Sequence, residues 1–442
     1  MITVNGKYTS ANIMIDSVEE SCMSQIVSFT NHPAFTNPIV IQPDCHAGRG
    51  SCIGFTMKMT DKLIPAVIGV DIGCGLLSYN VGPNLTMSLS DLDKRIRARI
   101  PFGCEVNEKS VLDMKDDFPW KAVNRALQRF SQEYQEKFRI PFDASPMDMD
   151  WFIKRCKAIG GDLRRMINSL CSLGGGNHFF EVGLSDTSDY WLTVHSGSRN
   201  FGKRICDYWQ DSAIKKVKNQ DREVRKEALQ SIKARYKGKE LYDKIKEFKS
   251  SDTNLDAFPC ANDQRWLEGI DAVGYLRDML FSQIYASINR EYICRTIIGM
   301  LKLIPIDSIE TVHNYIDFND LIIRKGSITS YEKERFLLPF NMRDGILICE
   351  GKSNPDWNFS APHGAGRMMS RSQAKKNLSL DSFKDQMKDI YSTSVEYSTL
   401  DEAPDAYKDS KIIEAAIEPT AKIINRIKPV LNMKDCVGIE ND

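Results

Sequence analysis

An α+β fold is the class this 442-residue sequence predicts. Three observations lead there. Short apolar runs between glycine-rich turns fill the first hundred residues and return near 160–200, which is the pattern of strands. Positions 211–250 are dense in Lys, Glu and Arg, with apolar residues at helical spacing. A mixed strand pattern then resumes at Glu310-Thr311-Val312-His313-Asn314. The chain reads as one mixed-sheet catalytic domain over 1–442, with a charged helical block inserted at roughly 206–300. There is no internal repeat and no low-complexity linker.

Taken in order, 64–70 (Ile-Pro-Ala-Val-Ile-Gly-Val) is a short apolar run that predicts a buried strand. It feeds Asp71-Ile72-Gly73-Cys74-Gly75, where two glycines favour a tight loop. A helix is predicted over 90–100, with Ser90 as N-cap and Asp91 and Asp93 in its first turn. Its Lys94, Arg95, Arg97 and Arg99 read as a solvated face. Leu173-Gly174-Gly175-Gly176-Asn177-His178 is a glycine-rich turn. Strands are expected at Phe179-Phe180-Glu181-Val182 and at Trp191-Leu192-Thr193-Val194, the latter ending on His195-Ser196-Gly197-Ser198-Arg199. Long surface helices follow over 211–250. A further helix covers 270–300, with Tyr275, Leu276, Met279, Ile284, Tyr285 and Ile288 as its buried face. Ala361-Pro362-His363-Gly364-Ala365-Gly366-Arg367 predicts a turn before a helix that starts near Met368.

Bulk properties narrow the class. Hydrophobic content of 42% and charged content of 27% are those of a globular chain. With 59 basic and 59 acidic residues the net charge is zero, so a nucleic-acid partner must be met by a local basic surface. No run approaches the ~20 apolar residues of a membrane helix. The first seven residues lack the layout of a signal peptide. An intracellular, cytoplasmic protein without a membrane span is expected. The twelve cysteines have no Cys-x-x-Cys pairing. Neither a disulfide framework nor a closed zinc site is indicated, and most are expected to be buried small hydrophobes.

The chemistry concentrates in few residues. There are six histidines, and His178, His195, His313 and His363 share a setting beside Gly, Asn or other small residues. His195 and His313 each follow Thr-Val, the end of a strand, where rigid scaffolds display catalytic groups. Imidazole and thiolate ligate borderline transition ions, and carboxylate suits harder ones. Cys74 can bridge two ions with Asp71 reaching one of them. Spacing alone equally allows a turn with a buried cysteine. Around His363 the glycines permit close approach of a ligand, and Arg367 can grip phosphate. His363 itself fits a metal ligand, a general base or a nucleophile. The motif lacks the Gly-Lys-Ser/Thr ending of a P-loop.

Together these motifs resemble one family, the RtcB-type RNA-splicing ligases. The resemblance runs through Gln42-Pro43-Asp44-Cys45-His46-Ala47-Gly48, the Asp71 and His178 segments, His195-Ser196-Gly197-Ser198-Arg199 and Val312-His313-Asn314. It continues in Arg324-Lys325-Gly326, the His363 segment and Asp401-Glu402-Ala403-Pro404-Asp405-Ala406-Tyr407-Lys408. It implies an RtcB-like catalytic core that joins RNA bearing a 2′,3′-cyclic phosphate or 3′-phosphate to RNA bearing a 5′-hydroxyl. GTP and two manganese ions are the implied cofactors. By the same resemblance Cys74 bridges the ions, Asp71 and His178 complete one site, and His195 and His313 complete the other. His363 becomes guanylylated. Asn177, Glu181, Asn314, Gly364, Ala365, Gly366, Arg367, Tyr407 and Lys434 bind the nucleotide. Asp44, His46 and Arg199 support the centre or meet the RNA ends.

Two departures stand out. Where the family often has Pro-Gly-Ser-Met, this chain has Pro339-Phe340-Asn341-Met342, with Asn341 offered as a substitute polar contact. Family chains tend to finish near a Lys-Gly, whereas Lys434 is followed by Asp435 and a further tail. A metal-dependent end-processing phosphoesterase and a non-catalytic RNA-binding relative are the alternative readings. The sequence names neither the natural RNA nor an activating protein.

Overall fold

The computed structural model describes residues 1–250 and 260–436. Positions 251–259 of the helical block, and 437–442 of the tail after Lys434, lie outside the described residues. The strands are, in chain order, β1 (Ile2–Asn5), β2 (Ser10–Ile13), β3 (Ile39–His46), β4 (Ile53–Lys58), β5 (Gly75–Gly82), β6 (Phe179–Ser185), β7 (Tyr190–Ser196) and β8 (Asp307–Val312). They continue with β9 (Asn314–Ile316), β10 (Ile322–Lys325), β11 (Ser327–Thr329), β12 (Arg335–Pro339), β13 (Ile346–Gly351), β14 (Ser360–Pro362) and β15 (Ala421–Met433). A six-stranded sheet has the order β1-β2-β3-β4-β10-β9 and a seven-stranded sheet β12-β13-β15-β6-β7-β5-β8, with β11 and β14 forming a separate pair. Among the named strands of the described residues, only β2 and β3 pair in parallel. With its helices, the chain is the α+β type its sequence predicts.

The seven-stranded sheet is buried on both faces because its strands are apolar at consecutive positions. Successive side chains of a strand point to opposite faces. Leu76, Phe179, Trp191 and Ile309 therefore pack with Leu337, Ile346 and Ile427 on one side. Leu77, Phe180, Leu192 and Val194 pack with Ile293, Cys294 and Ile297 on the other. Those last three belong to the helix Ile270–Leu301, here called the core helix. Its first half packs into the largest core, where Tyr275, Leu276, Met279 and Phe281 meet the six-stranded sheet's cluster. Every residue from Tyr275 to Ser282 is buried, so this stretch is covered all round. Of its expected buried face, Ile284 and Ile288 are half-buried.

Topology positions the functional loops. In the antiparallel run β6-β7-β5-β8, the starts of β6 and β5 and the ends of β7 and β8 fall at one edge of the sheet. His178 directly precedes β6, His195 is the penultimate residue of β7, Cys74 directly precedes β5 and His313 directly follows β8.

Three local expectations are corrected. The apolar run 64–70 contains a single helical turn, Pro65–Ile68, instead of a strand. Proline at the first helical position sets φ and lacks the N–H a ladder would need, and a short apolar run carries no period to separate the two. The helix predicted from Ser90 is Leu89–Arg99, capped by Ser88, which accepts from the Asp91 N–H. Its Lys94, Arg95 and Arg99 are exposed, but Arg97 turns inward to Asp93 and the Lys434 carbonyl. The helix expected near Met368 is Arg371–Asn377, started by a Ser370–Gln373 capping box. The charged segment forms the helices Arg199–Arg235 and Gly238–Ser250. Among the described residues no helix is long and apolar enough to cross a membrane.

Candidate functional site

Four sheet-edge residues converge with Asp71. Asp71, Cys74 and His178 place one ligand atom each within 4.8 Å of one another, and Cys74, His195 and His313 do the same. Cys74 is common to both groups. Its Sγ lies 3.4 Å from His178 Nε2 and 3.3 Å from His195 Nε2. His178 Nε2 is 2.8 Å from Asp71 Oδ2. His195 Nδ1–H donates to the Asn177 carbonyl at 3.1 Å, which leaves its Nε2 as a bare lone pair. That Nε2 faces His313 Nε2 at 3.0 Å.

The electrostatics favour a cation at both places. Burial, and then neighbouring imidazoles, hold His195 and His313 well below the usual histidine range, so both are neutral imidazoles at neutral pH. Burial and the Asp71 carboxylate push the Cys74 thiol well above its ordinary value. Burial works against ionised Asp71, yet hydrogen bonding and charge from His178, with help from Cys74, lower it to about 2. Without an ion, neutral His313 can donate Nε2–H to the His195 lone pair at 3.0 Å; with one, both nitrogens and the buried sulfur beside them can turn lone pairs toward it. The donor set of carboxylate, thiolate and imidazoles fits divalent transition ions, with one sulfur shared between two positions.

The loops carrying these ligands are clamped from the core helix. Arg290 is fully buried and donates to the carbonyls of Gly73 (2.7 Å) and Ser196 (2.9 Å), while pairing with Glu310 at 2.8 Å. Asn289 donates to Ser172, Ser196 and Gly197. Gly197 has no room for a side chain, since a Cβ there would lie 2.1 Å from Asp71 Oδ1. The Ser198 N–H donates to that same oxygen at 3.1 Å. Asn314 joins two loops, accepting from the Gly326 N–H at 3.0 Å and donating to the Asp71 carbonyl at 3.4 Å.

Beside the cluster opens a cleft of about 520 Å³, whose walls include His46, Asn177, Glu181, His195, His313, His363, Gly364, Ala365, Gly366 and Arg367. Such a volume suits a nucleotide-sized ligand. The His363 and His313 rings stand 4.8 Å apart between centroids. His363 Nδ1–H donates to Asp44 Oδ2 at 2.6 Å, and the His363 backbone N–H reaches the same oxygen at 3.2 Å. Asp44 is fully buried on β3. It orients the His363 ring and favours the tautomer with the proton on Nδ1 and a lone pair on Nε2. A Cβ at Gly366, whose φ is +74°, would fall 2.2 Å from the Asp44 carbonyl, so the His363 loop rests directly on this strand. Lys408 Nζ pins that strand through the carbonyls of Pro43 and Cys45. His46 is held at about 4 by burial, with its Nδ1 3.0 Å from the Asp44 carbonyl oxygen.

The far end of the cleft holds Glu181, Lys434 and Tyr407 around Glu402. Burial raises the Glu181 carboxyl to about 8 although Asn432 donates to its Oε2 at 2.9 Å; its Oε1 has no partner among the described residues. Lys434 Nζ lies 2.9 Å from Glu402 Oε2 and donates to the Asn177 carbonyl at 3.2 Å. Tyr407 donates its hydroxyl to Glu402 Oε2 at 2.7 Å, and Arg371 pairs with Oε1 at 2.6 Å. Burial opposes charge on Glu402, but Lys434, Arg371 and Arg367 hold its carboxyl well below the carboxylate range.

Some expected residues take other places. Arg367 donates to the Asp401 and Met369 carbonyls and lies 3.4 Å from Glu402, so a phosphate there competes with protein acceptors. Arg199 sits behind the cluster, donating to the Gly103 carbonyl and Ser172 Oγ. The Asn341 amide is occupied by its own turn, accepting from the Arg343 and Asp344 N–H groups and donating to Asp344. Its amide is therefore not free to replace the hydroxyl contact, although Asn341 borders the cleft. Phe340 is buried in the packing behind it. Glu402, Arg371, Asn289 and Arg290 escape a reading of the sequence. The first lies inside a quoted motif; the other three carried no local signal.

Comparison with known proteins points to one family. The sequence profile described as tRNA-splicing ligase RtcB matches residues 25–435. The chain is 25% identical to "RNA-splicing ligase RtcB" of Escherichia coli (strain K12), covering 94% of this chain and 95% of that protein. It is 23% identical to "tRNA-splicing ligase RtcB" of Nanoarchaeum equitans, covering 97% and 94%. It is 22% identical to "RNA-splicing ligase RtcB homolog 1" of Entamoeba histolytica, covering 94% and 83%.

Proposed function

Since the chain belongs to the tRNA-splicing ligase RtcB family, we propose that it is an RNA ligase, and more specifically a GTP- and manganese-dependent one. It joins ends bearing a 2′,3′-cyclic phosphate or 3′-phosphate to 5′-hydroxyl ends. A single observation carries the reading: an imidazole held by a buried carboxylate stands beside two ligand sets that share Cys74, in one nucleotide-sized cleft.

Asp71, Cys74 and His178 would hold one manganese ion, and Cys74, His195 and His313 the other. The bound ions would supply Lewis acidity toward phosphate oxygens. Asp44 keeps the proton of His363 on Nδ1, so Nε2 attacks the α-phosphorus of GTP. The P–N bond forms, and pyrophosphate leaves with the electrons of the broken P–O bond. A cyclic RNA end is opened by water to a 3′-phosphate. An oxygen of that 3′-phosphate attacks the phosphorus on His363, and the electrons of the P–N bond return to Nε2. The 5′-hydroxyl oxygen then attacks the activated RNA phosphorus, losing its proton, and GMP departs. Glu181, with an unpartnered oxygen, and Lys434 would read the guanine edge, while Asn177 and the 364–367 loop border the phosphates. A cytoplasmic setting fits this role.

Supplying the two RNA ends with GTP and Mn²⁺ should give joined product, and omission of either cofactor should abolish it. No joined product with any combination of these ends and cofactors would overturn the proposal. One observation favours a second reading as an end-processing phosphoesterase: the occupied Asn341 amide leaves the 339–342 loop without the family's hydroxyl contact. GTP-independent opening of the cyclic end without joining would select it.

A further inference from the structure

We propose that the two-helix arm formed by Arg199–Arg235 and Gly238–Ser250 grips the phosphate backbone of the RNA body, far from the ends being joined. The proposal rests on the reading of the chain as an RNA ligase and adds to it a second contact region.

The first helix has 37 residues and so runs about 55 Å. It starts at the catalytic cluster, one residue after Ser198, whose N–H is bound to Asp71. Its first half is anchored through buried Phe201, Ile205, Trp209 and Ala213. Beyond Ala213, none of the described side chains of either helix is buried. The two helices pack on each other, and half-buried Leu229, Ile232, Leu241 and Ile245 have the spacing of a shared seam. The apolar stripe is thus consumed within the arm, and beyond Lys216, which pairs with Asp271 at 3.1 Å, the ion pairs seen among the described residues lie within the arm itself.

That face is strongly basic. Positions 215–249 hold thirteen Lys and Arg against six Asp and Glu, leaving the rest of a neutral chain acidic. A helix kept merely soluble mixes its signs. Near 223–227 and 244–247 this arm does so, with ion pairs Lys226–Glu223 and Lys244–Glu247. Its tip does not. Positions 228–239 contain no acidic residue, and Lys233, Arg235, Lys237 and Lys239 are all exposed there. Among the described residues none of these four meets a carboxylate within ion-pair distance. Four exposed cations without counter-charge at the turn suit a polyanion, and RNA, with a charge at every nucleotide, supplies one. The distance to the cluster assigns the contact to the RNA body instead of its ends.

The test uses the full chain with Lys233→Glu, Arg235→Glu, Lys237→Glu and Lys239→Glu combined, and a second variant with Gln at the same positions. A third variant exchanges Lys and Arg, keeping the charge. Binding without GTP is followed by fluorescence anisotropy over a salt series. One probe is a structured RNA of transfer-RNA size; the other is a short oligonucleotide unable to reach the tip. For the structured RNA, Kd should rise roughly tenfold or more at about 0.1 M salt, and the log Kd against log salt slope should fall by about 3 units. The charge-keeping variant should bind normally. Short RNA should bind, and be joined, as with the parent chain. Unchanged affinity and slope for the structured RNA in both charge-altered variants would overturn the proposal. Loss of a co-purifying protein with RNA binding intact would also overturn it, assigning the arm to that protein. Failure of the parent chain to join short RNA would instead count against the ligase reading, since the binding readout needs no ligation.

Discussion

Replacing Asp44 with Asn should disable guanylylation while leaving the fold and the cleft in place. Asn has the same shape, and the site is fully buried, so water cannot take over the lost role. The 2.6 Å contact from His363 Nδ1 is to a charged acceptor, and the His363 N–H shares that oxygen. A hydrogen bond to a charged group contributes about 1.5–3 kcal/mol. As lost transition-state stabilisation this is roughly ten- to 150-fold in rate. Tautomer control adds to it, because an amide can donate to Nδ1 and leave the proton on Nε2. The same exchange in a Ser-His-Asp triad lowers turnover about 10⁴-fold. The expected loss is therefore about 10² to 10⁴ in single-turnover formation of the protein–GMP adduct, followed with α-labelled GTP. GTP affinity and manganese content should be those of the parent. Adduct formation by Asp44→Asn at the parent rate would refute the assignment of Asp44 as the group that orients His363.

Three further outcomes follow from the same geometry. Cys74→Ala should lower binding at both metal positions, whereas His313→Ala should lower binding mainly at one; manganese titration by electron paramagnetic resonance distinguishes them, and equal loss in the two variants would contradict the bridging role. Arg290→Met removes a buried cation that satisfies the Gly73 and Ser196 carbonyls, and should cost about 3 kcal/mol or more in urea unfolding; a change below about 1 kcal/mol would show that the clamp is dispensable. Glu181 titrates near 8 in the fold against an ordinary 4.5, so the folded state binds its proton more tightly. Its contribution is intact below about pH 4.5 and is lost as pH rises toward 8, on the order of a few kcal/mol. The nucleotide-free parent should therefore lose stability relative to Glu181→Gln across that window, and parallel curves would contradict the burial argument.

The sequence made the candidate ligands legible and hid their supports, for physical reasons. The loop from Asp71 to Gly75 and the histidines beside small residues stand out because metal-binding side chains are few and glycines mark the turns. Their convergence was not readable, because it depends on the antiparallel order β6-β7-β5-β8 bringing four strand ends to one edge. Asp44 lies 319 positions from His363, and no local spacing links a carboxylate on a strand to an imidazole on a distant loop. Arg290 and Asn289 were hidden inside the core helix, where two buried polar residues sit among buried apolar ones and no local motif marks them. The helical turn at Pro65 cannot be told from a strand in the sequence, because so short an apolar run carries no period. Lys434 was legible as a lysine near the chain's end, but its pairing with Glu402 required the fold.

The central claim is that His363 carries GMP, and one measurement addresses it directly. The full chain is incubated with α-labelled GTP and Mn²⁺, and the protein-bound label is tested for acid lability and mapped by peptide mass spectrometry. An acid-labile GMP on His363, absent from His363→Ala and discharged by 3′-phosphate RNA, is the predicted result. A label that persists in His363→Ala, or no protein-bound GMP under conditions where RNA ends are joined, would contradict the account.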